Sequence, residues 1–247
     1  MFFEESFLFL PTRFPEGNWQ PEGIHFEDAH FESRDGSRLH GWYIHRENPS
    51  AVLLFCNGQA GNLTWQAPFL ERLCNDTGVS LLTFDYRGYG QSEGQPSERG
   101  IFQDVRAARD WLSQRAAVSN EQIVVCGASL GSAVALDLAA DEAVRALVLL
   151  SPFTSVMDMA ALRFPYIPFR FLLRTRLDSL SKIGKYCGPL LVCHGTSDTV
   201  IPYSMGERLF AAANDPKQML AIPEWGHDTP PPDAFFHGLR EFLGRVQ

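Results

Sequence analysis

Ile123-Val124-Val125-Cys126-Gly127-Ala128-Ser129-Leu130-Gly131-Ser132-Ala133 joins an apolar run to a run of small helix formers. Ile123–Cys126 reads as a buried strand and Leu130–Ala140 as a helix. Between them the chain has almost no room to turn. The two glycines and two alanines leave space for a tight strand-to-helix bend that would lift the Ser129 hydroxyl above a sheet. The bend also sets Ser129 at a helix N-terminus, where the Leu130 amide points outward.

The rest of the chain repeats this rhythm. Ala51–Cys56, Val79–Phe84, Ala146–Leu150, Leu190–Cys193 and Gln218–Ile222 read as strands. Helical patterns follow near Trp65–Asp76, Ile101–Ala116, Ser204–Ala213 and Ala234–Val246. Strands alternating with helices predict a mostly parallel sheet covered on both faces. His25–Ser33 and Arg38–His45 flank Asp35-Gly36, a hairpin signal, and are expected to add antiparallel strands at one edge. Pro152 to Pro189 breaks the rhythm. It carries the apolar stretch Phe164–Leu173 and is expected to form a short cap, about residues 153–188.

The 247 residues suit one large α/β domain, here residues 25–247, behind an apolar arm, residues 1–24. Phe2, Phe3, Phe7, Leu8, Phe9 and Leu10 crowd the start of that arm. The run is about half the ~20 residues that span a bilayer, and Glu4 and Glu5 interrupt it. An arm packed on the domain is expected; a membrane-touching or dimer-forming arm is the alternative, so residues 1–10 and the cap are the places for peripheral membrane contact. A net charge of −8 argues against a nucleic-acid partner. Five cysteines with no Cys-x-x-Cys pair argue for reduced, mostly buried thiols in a cytoplasmic setting, with no metal site.

Gly-x-Ser-x-Gly occurs twice, at Gly127–Gly131 and again at Gly90-Gln91-Ser92-Glu93-Gly94. Ser92 sits in the middle of a polar loop, Asp85–Arg99, with Pro96 after it, and lacks the turn into a helix. Context therefore selects Ser129 as the candidate nucleophile. A serine hydroxyl needs a general base, and the base needs an orienting acid. In strand–turn–helix sites of this kind the chain order is serine, acid, histidine. His194 ends a strand and His237 falls inside the last helix, which leaves His227 in the loop Glu224-Trp225-Gly226-His227-Asp228. Asp198, just beyond the strand Leu190–Cys193, is the candidate acid; a cap for the following helix is its bland alternative. Asp228, as a neighbour of His227, would struggle to reach its Nδ1. The second oxyanion donor is expected in Asn57-Gly58-Gln59-Ala60-Gly61-Asn62, with Gln59 N–H first and Ala60 second.

These motifs together resemble the Bem46-like branch of the α/β-hydrolase superfamily. The matching stretches are Asp35–Trp42, Asn57–Asn62, Phe84–Gly94, Gly127–Gly131, Ser151-Pro152-Phe153-Thr154-Ser155, His194–Asp198 and Gly226-His227. The resemblance implies an α/β-hydrolase fold with an eight-stranded, mostly parallel sheet, and a triad of Ser129, Asp198 and His227. It also implies that Ser92 belongs to a family loop. The family usually has histidine where this chain has Asn57, a position that supports the oxyanion loop rather than reacting. The expected activity is hydrolysis of a small carboxylic ester or thioester without metal or organic cofactor. A non-catalytic binding protein on the same scaffold, and amide or C–C hydrolysis by the same triad, are the alternatives. A carboxylate nucleophile, as haloalkane dehalogenation needs, is absent where Ser129 stands.

Overall fold

The computed structural model describes residues 5–164, 166 and 173–246. Helix α1 (Glu5–Leu8) and the short strand β1 (Leu10–Pro11) open the chain. The hairpin follows as β2 (Glu27–Glu32) and β3 (Arg38–Ile44), then β4 (Val52–Cys56) and the two-residue strand β5 (Ala60–Gly61). Next come α2 (Ala67–Thr77), β6 (Ser80–Phe84), α3 (Glu98–Ala116), β7 (Ile123–Ala128) and α4 (Leu130–Asp141). The second half runs β8 (Ala146–Leu150), α5 (Val156–Arg163), α6 (Ser179–Ile183), β9 (Leu190–Gly195), α7 (Tyr203–Ala212), β10 (Lys217–Ile222) and α8 (Asp233–Arg245).

Eight strands form one sheet in the order β10-β9-β8-β7-β4-β6-β3-β2. The expected mostly parallel sheet is present, with one refinement. Strand β3 pairs antiparallel with both β2 and β6, so β2 turns back into the common direction and β3 alone runs against the rest. The hairpin turn has the expected residues: Gly36 at φ 84° and a Ser33 N–H to Ser37 O bond of 2.9 Å.

Composition explains the layering. Strands β4, β6, β8 and β9 are buried at every residue, whereas edge strand β2 buries one face only. Leu54 and Val125 face a core shared with Ile101 and Val105 of α3 and Leu136 of α4. Leu53, Phe55 and Val124 face the other core, with Leu70 of α2 and Phe235 and Leu239 of α8. Truncating one of these, such as Leu136→Ala, should cost about 2–5 kcal/mol. Four of the five cysteines are buried, and Cys187 is exposed.

The segment between β8 and β9 contains α5 and α6; its apolar stretch falls largely on residues 165 and 167–172, outside the described residues, as do Phe2 and Phe3. The described arm lies on the domain: Phe9 is buried, and β1 pairs parallel with β5. Among the described residues no helix is long and apolar enough to cross a membrane.

Candidate active site

Ser129 sits at φ 52°, ψ −118°, between β7 and α4. A non-glycine residue there stores roughly 1–3 kcal/mol, which the surrounding packing must hold. The hold is visible. Ser129 N–H donates to Leu150 O at 2.9 Å, and Ser129 O accepts from Ser132 N–H at 2.9 Å and Ser132 Oγ at 2.6 Å. A Cβ on Gly127 would lie 2.1 Å from Gly131 O, and one on Gly131 would lie 2.0 Å from Cys56 O. Both glycines are therefore required by close backbone approach rather than by a special φ. The backbone of Ser129 is fully engaged while its side chain, half-buried, makes no hydrogen bond among the described residues.

Asp198 and His227 leave the sheet from neighbouring strands, β9 and β10. Their loops touch so closely that a Cβ on Gly195 would meet Trp225 O at 2.1 Å. Ser197 N–H donates to Trp225 O at 3.2 Å, and Glu224 N–H donates to Thr196 Oγ1 at 3.2 Å, tying the two loops together. In this frame His227 Nδ1 lies 2.8 Å from Asp198 Oδ2. The bond assigns the proton to Nδ1 and leaves Nε2 as an acceptor. Asp228 does not compete and is exposed.

Asp198 is satisfied from several sides. Oδ1 accepts from Val200 N–H at 3.0 Å and Ile201 N–H at 2.8 Å. His194 Nε2 donates mainly to Ile201 O at 2.9 Å, and Asp198 Oδ2 is 3.5 Å from the same atom. Burial alone pushes the Asp198 carboxyl up; the bonds from His194, His227 and the Ile201 amide together outweigh it and hold the carboxyl well below the usual range. Asp198 thus makes a local turn with its own backbone, as a capping residue would, and still has one oxygen for His227. Helix α7 takes its N-cap from Pro202 instead.

The candidate oxyanion loop, Asn57–Asn62, follows β4. Asn57 is buried, and its Nδ2 donates to Thr83 Oγ1 at 3.0 Å and Phe84 O at 2.9 Å, so this side chain anchors the loop to β6. A Cβ on Gly58 would stand 3.9 Å from Ser129 Cβ, which brings the loop against the elbow. Neither Gln59 N–H nor Leu130 N–H has an acceptor among the described residues. Ser92 is used differently from Ser129. It is buried, donates to Asp85 O at 2.6 Å and accepts from His40 N–H at 3.0 Å. His237 lies on the surface of α8, as its place in the helix implies.

Sequence reasoning missed two features. His194 reads only as the end of a strand, and nothing in its neighbours announces a second contact to Asp198. The arm and the tyrosines of the Asp85–Arg99 loop bond to the oxyanion loop across long sequence separations that periodicity does not report. Among the described residues no group of three or more His, Cys, Asp or Glu side chains could hold a metal ion. An open cavity of about 630 Å³, lined by Glu98, Arg99 and Arg106, includes none of Ser129, Asp198 or His227.

A family model described as the alpha/beta hydrolase fold matches residues 51–178, a span that holds Ser129 and the Asn57–Asn62 loop. The chain belongs to the α/β hydrolase fold family. Within this family, Uncharacterized protein Rv2307c of Mycobacterium tuberculosis is 43% identical over 205 residues, covering 82% of this chain and 73% of that one. Alpha/beta hydrolase domain-containing protein 17B of Xenopus laevis is 33% identical over 213 residues, 85% of this chain and 72% of its own. Among solved structures, an esterase of Pyrococcus furiosus superposes with a TM-score of 0.78 at 20% identity, covering 96% of this chain and 98% of that one. An acetyl xylan esterase from Paenibacillus sp. R4 gives 0.73 at 19%, covering 92% and 86%. At these identities the structural likeness is one of fold.

Proposed function

We propose that this α/β hydrolase is a serine hydrolase acting on small carboxylic esters or thioesters. The observation that carries the reading is the 2.8 Å bond from His227 Nδ1 to Asp198 Oδ2, on the same sheet edge as a strained Ser129 whose hydroxyl makes no hydrogen bond among the described residues. Known esterases among the structures of like fold support the same reaction class.

The mechanism follows from the atoms. His227 Nε2 takes the Ser129 proton while Oγ attacks the carbonyl carbon. The carbonyl π electrons move to oxygen, and Leu130 N–H and Gln59 N–H hold the resulting oxyanion. The tetrahedral species collapses, the C–O or C–S bond breaks, and His227 returns its proton to the leaving group. Water then attacks the acyl-enzyme by the same route, which releases the acid and restores Ser129. Asp198 stays ionised throughout and steadies the imidazolium. Apo sites often close the serine–histidine bond only when substrate is present.

Exposed apolar side chains favour an acyl substrate over a polar one. Leu10 and Trp65 flank Ala60–Gly61, and Leu162, Phe164 and Tyr166 stand on the cap. We extend this to short-to-medium acyl chains, and to peripheral membrane contact through residues 1–10 or the cap. A fluorophosphonate probe tests the core of the reading. It should label wild type and not Ser129→Ala; no labelling of folded wild type, as a non-catalytic binding protein would give, rejects the proposal. A p-nitrophenyl ester series, with thioester and amide counterparts, then ranks the acyl chain and the bond cleaved.

A further inference from the structure

The proposed mechanism makes no use of Phe84–Gly94, although its second Gly-x-Ser-x-Gly is as clear in the sequence as the first. Apart from Ser92, three side chains of this stretch converge on one neighbour, the oxyanion loop. Tyr86 OH donates to Asn57 O at 2.9 Å, and Tyr89 OH donates to Gln59 O at 2.7 Å. Asp85 Oδ1 accepts from Leu63 N–H at 2.8 Å, where the loop ends. Both phenols are buried, and burial pushes them far above the ordinary range, so each remains a protonated donor. From the opposite side Leu10 N–H donates to the same Gln59 O at 3.0 Å.

Peptide geometry gives these bonds a meaning. The Asn57 carbonyl belongs to the Asn57–Gly58 plane, and the Gln59 carbonyl to the Gln59–Ala60 plane. The plane between them, Gly58–Gln59, carries the Gln59 N–H. Glycine at 58 would otherwise give this plane wide freedom. With both neighbouring planes held, it retains only a crankshaft rotation about its own Cα–Cα axis, and the Gln59 Cβ limits that rotation to few wells.

We propose that Tyr86 and Tyr89 are positioning residues for the oxyanion site: their hydroxyls fix the two peptide planes that bracket Gly58–Gln59 and thereby aim the Gln59 N–H. The inference rests on the reading of Gln59 as an oxyanion donor. It gives the Phe84–Gly94 stretch a task in the reaction without giving Ser92 one. Leu10, from the arm, completes the grip on the Gln59 carbonyl.

The test is steady-state kinetics of Tyr86→Phe, Tyr89→Phe and the double variant with p-nitrophenyl butyrate, beside inhibition by an aliphatic trifluoromethyl ketone. Losing an oxyanion donor outright costs roughly 10²–10³-fold in kcat, so misaiming one should cost roughly 5–20-fold per tyrosine. KM should stay within about twofold, because the ground-state carbonyl gains little from the donor. Ketone inhibition, which forms an oxyanion on Ser129, should weaken in step with kcat/KM. Variants that lose thermal stability but keep the wild-type kcat and ketone affinity would overturn the inference. Leu10→Pro removes the N–H on the other side of the same carbonyl from an exposed position. It should also lower kcat, and it decides the matter if the tyrosine variants do not fold. Wild type that labels and turns over beside unchanged variants defeats the clamp alone. Wild type that does neither defeats the serine-hydrolase reading and the clamp with it.

Discussion

Gly127–Gly131 and Gly90–Gly94 spell the same five-residue pattern, and their serines are held in opposite ways. Ser129 has its backbone bonded on both sides and its hydroxyl unbonded among the described residues; Ser92 has its hydroxyl bonded twice and buried. Each serine also has an aspartate in its region, and the aspartates differ in the same sense. Asp198 collects two amides and two imidazoles, and its carboxyl is held down. Asp85, buried more deeply, has only Leu63 N–H on one oxygen and no partner on Oδ2 among the described residues, and burial pushes it up to about 8. Identical letters become a candidate nucleophile or a structural pin according to where the surrounding backbone spends its donors.

The largest test of this contrast is Ser129→Ala, which should lower ester turnover on the order of 10⁶-fold and abolish probe labelling. Asp198→Asn comes next. The amide cannot hold the imidazole in the same tautomer, so kcat should fall roughly 10³–10⁴-fold with the fold intact by circular dichroism. For Asp85 the readout is stability against pH. Its folded pKa lies above the unfolded value of 3.8, so the native state keeps a proton that the unfolded chain has lost. Stability contributed by that proton is full below about pH 4 and is lost as pH rises toward 8, on the order of a few kcal/mol. In urea melts across this window, Asp85→Asn should show a flatter profile than wild type and exceed it at the alkaline end. An unchanged slope would mean that Asp85 titrates normally. The smallest effect is expected for Ser92→Ala. It strands His40 N–H and Asp85 O, which should cost about 1–3 kcal/mol of unfolding free energy while Ser129 still labels. Loss of labelling in a folded Ser92→Ala protein would erase the distinction between the two serines.

Much of this architecture was legible because its signals are local. Five apolar runs became strands β4, β6, β7, β8 and β9, each within about two residues of the reading, since burial on both faces leaves no polar interruption to confuse it. The elbow was legible because Gly127 and Gly131 sit where close backbone approach leaves no room for a side chain. The meeting of Asp198 and His227 was legible from order and strand-end placement. The reversed direction of β3 alone, the grip of Tyr86 and Tyr89 on the oxyanion loop, and the pairing of β1 with β5 were not. The last two are contacts between side chain or two-residue strand and backbone, as far apart as Leu10 and Gln59, and no period of 2 or 3.6 encodes them. Arg87 is a further case. It reads as one charge in a polar loop, yet it is buried and bonds Asp104, Asp35 and Ser33, locking α3, the hairpin turn and the Phe84–Gly94 stretch together.

The seam between Leu10–Pro11 and Ala60–Gly61 gives the start of the chain mechanical leverage. Phe9, 1% exposed, is the fulcrum. A tug on the residues before it loads a short ladder of backbone bonds whose far end is the loop beside Ser129. Fusing a bulky tag there, or docking those residues on another surface, would act on the site without touching it.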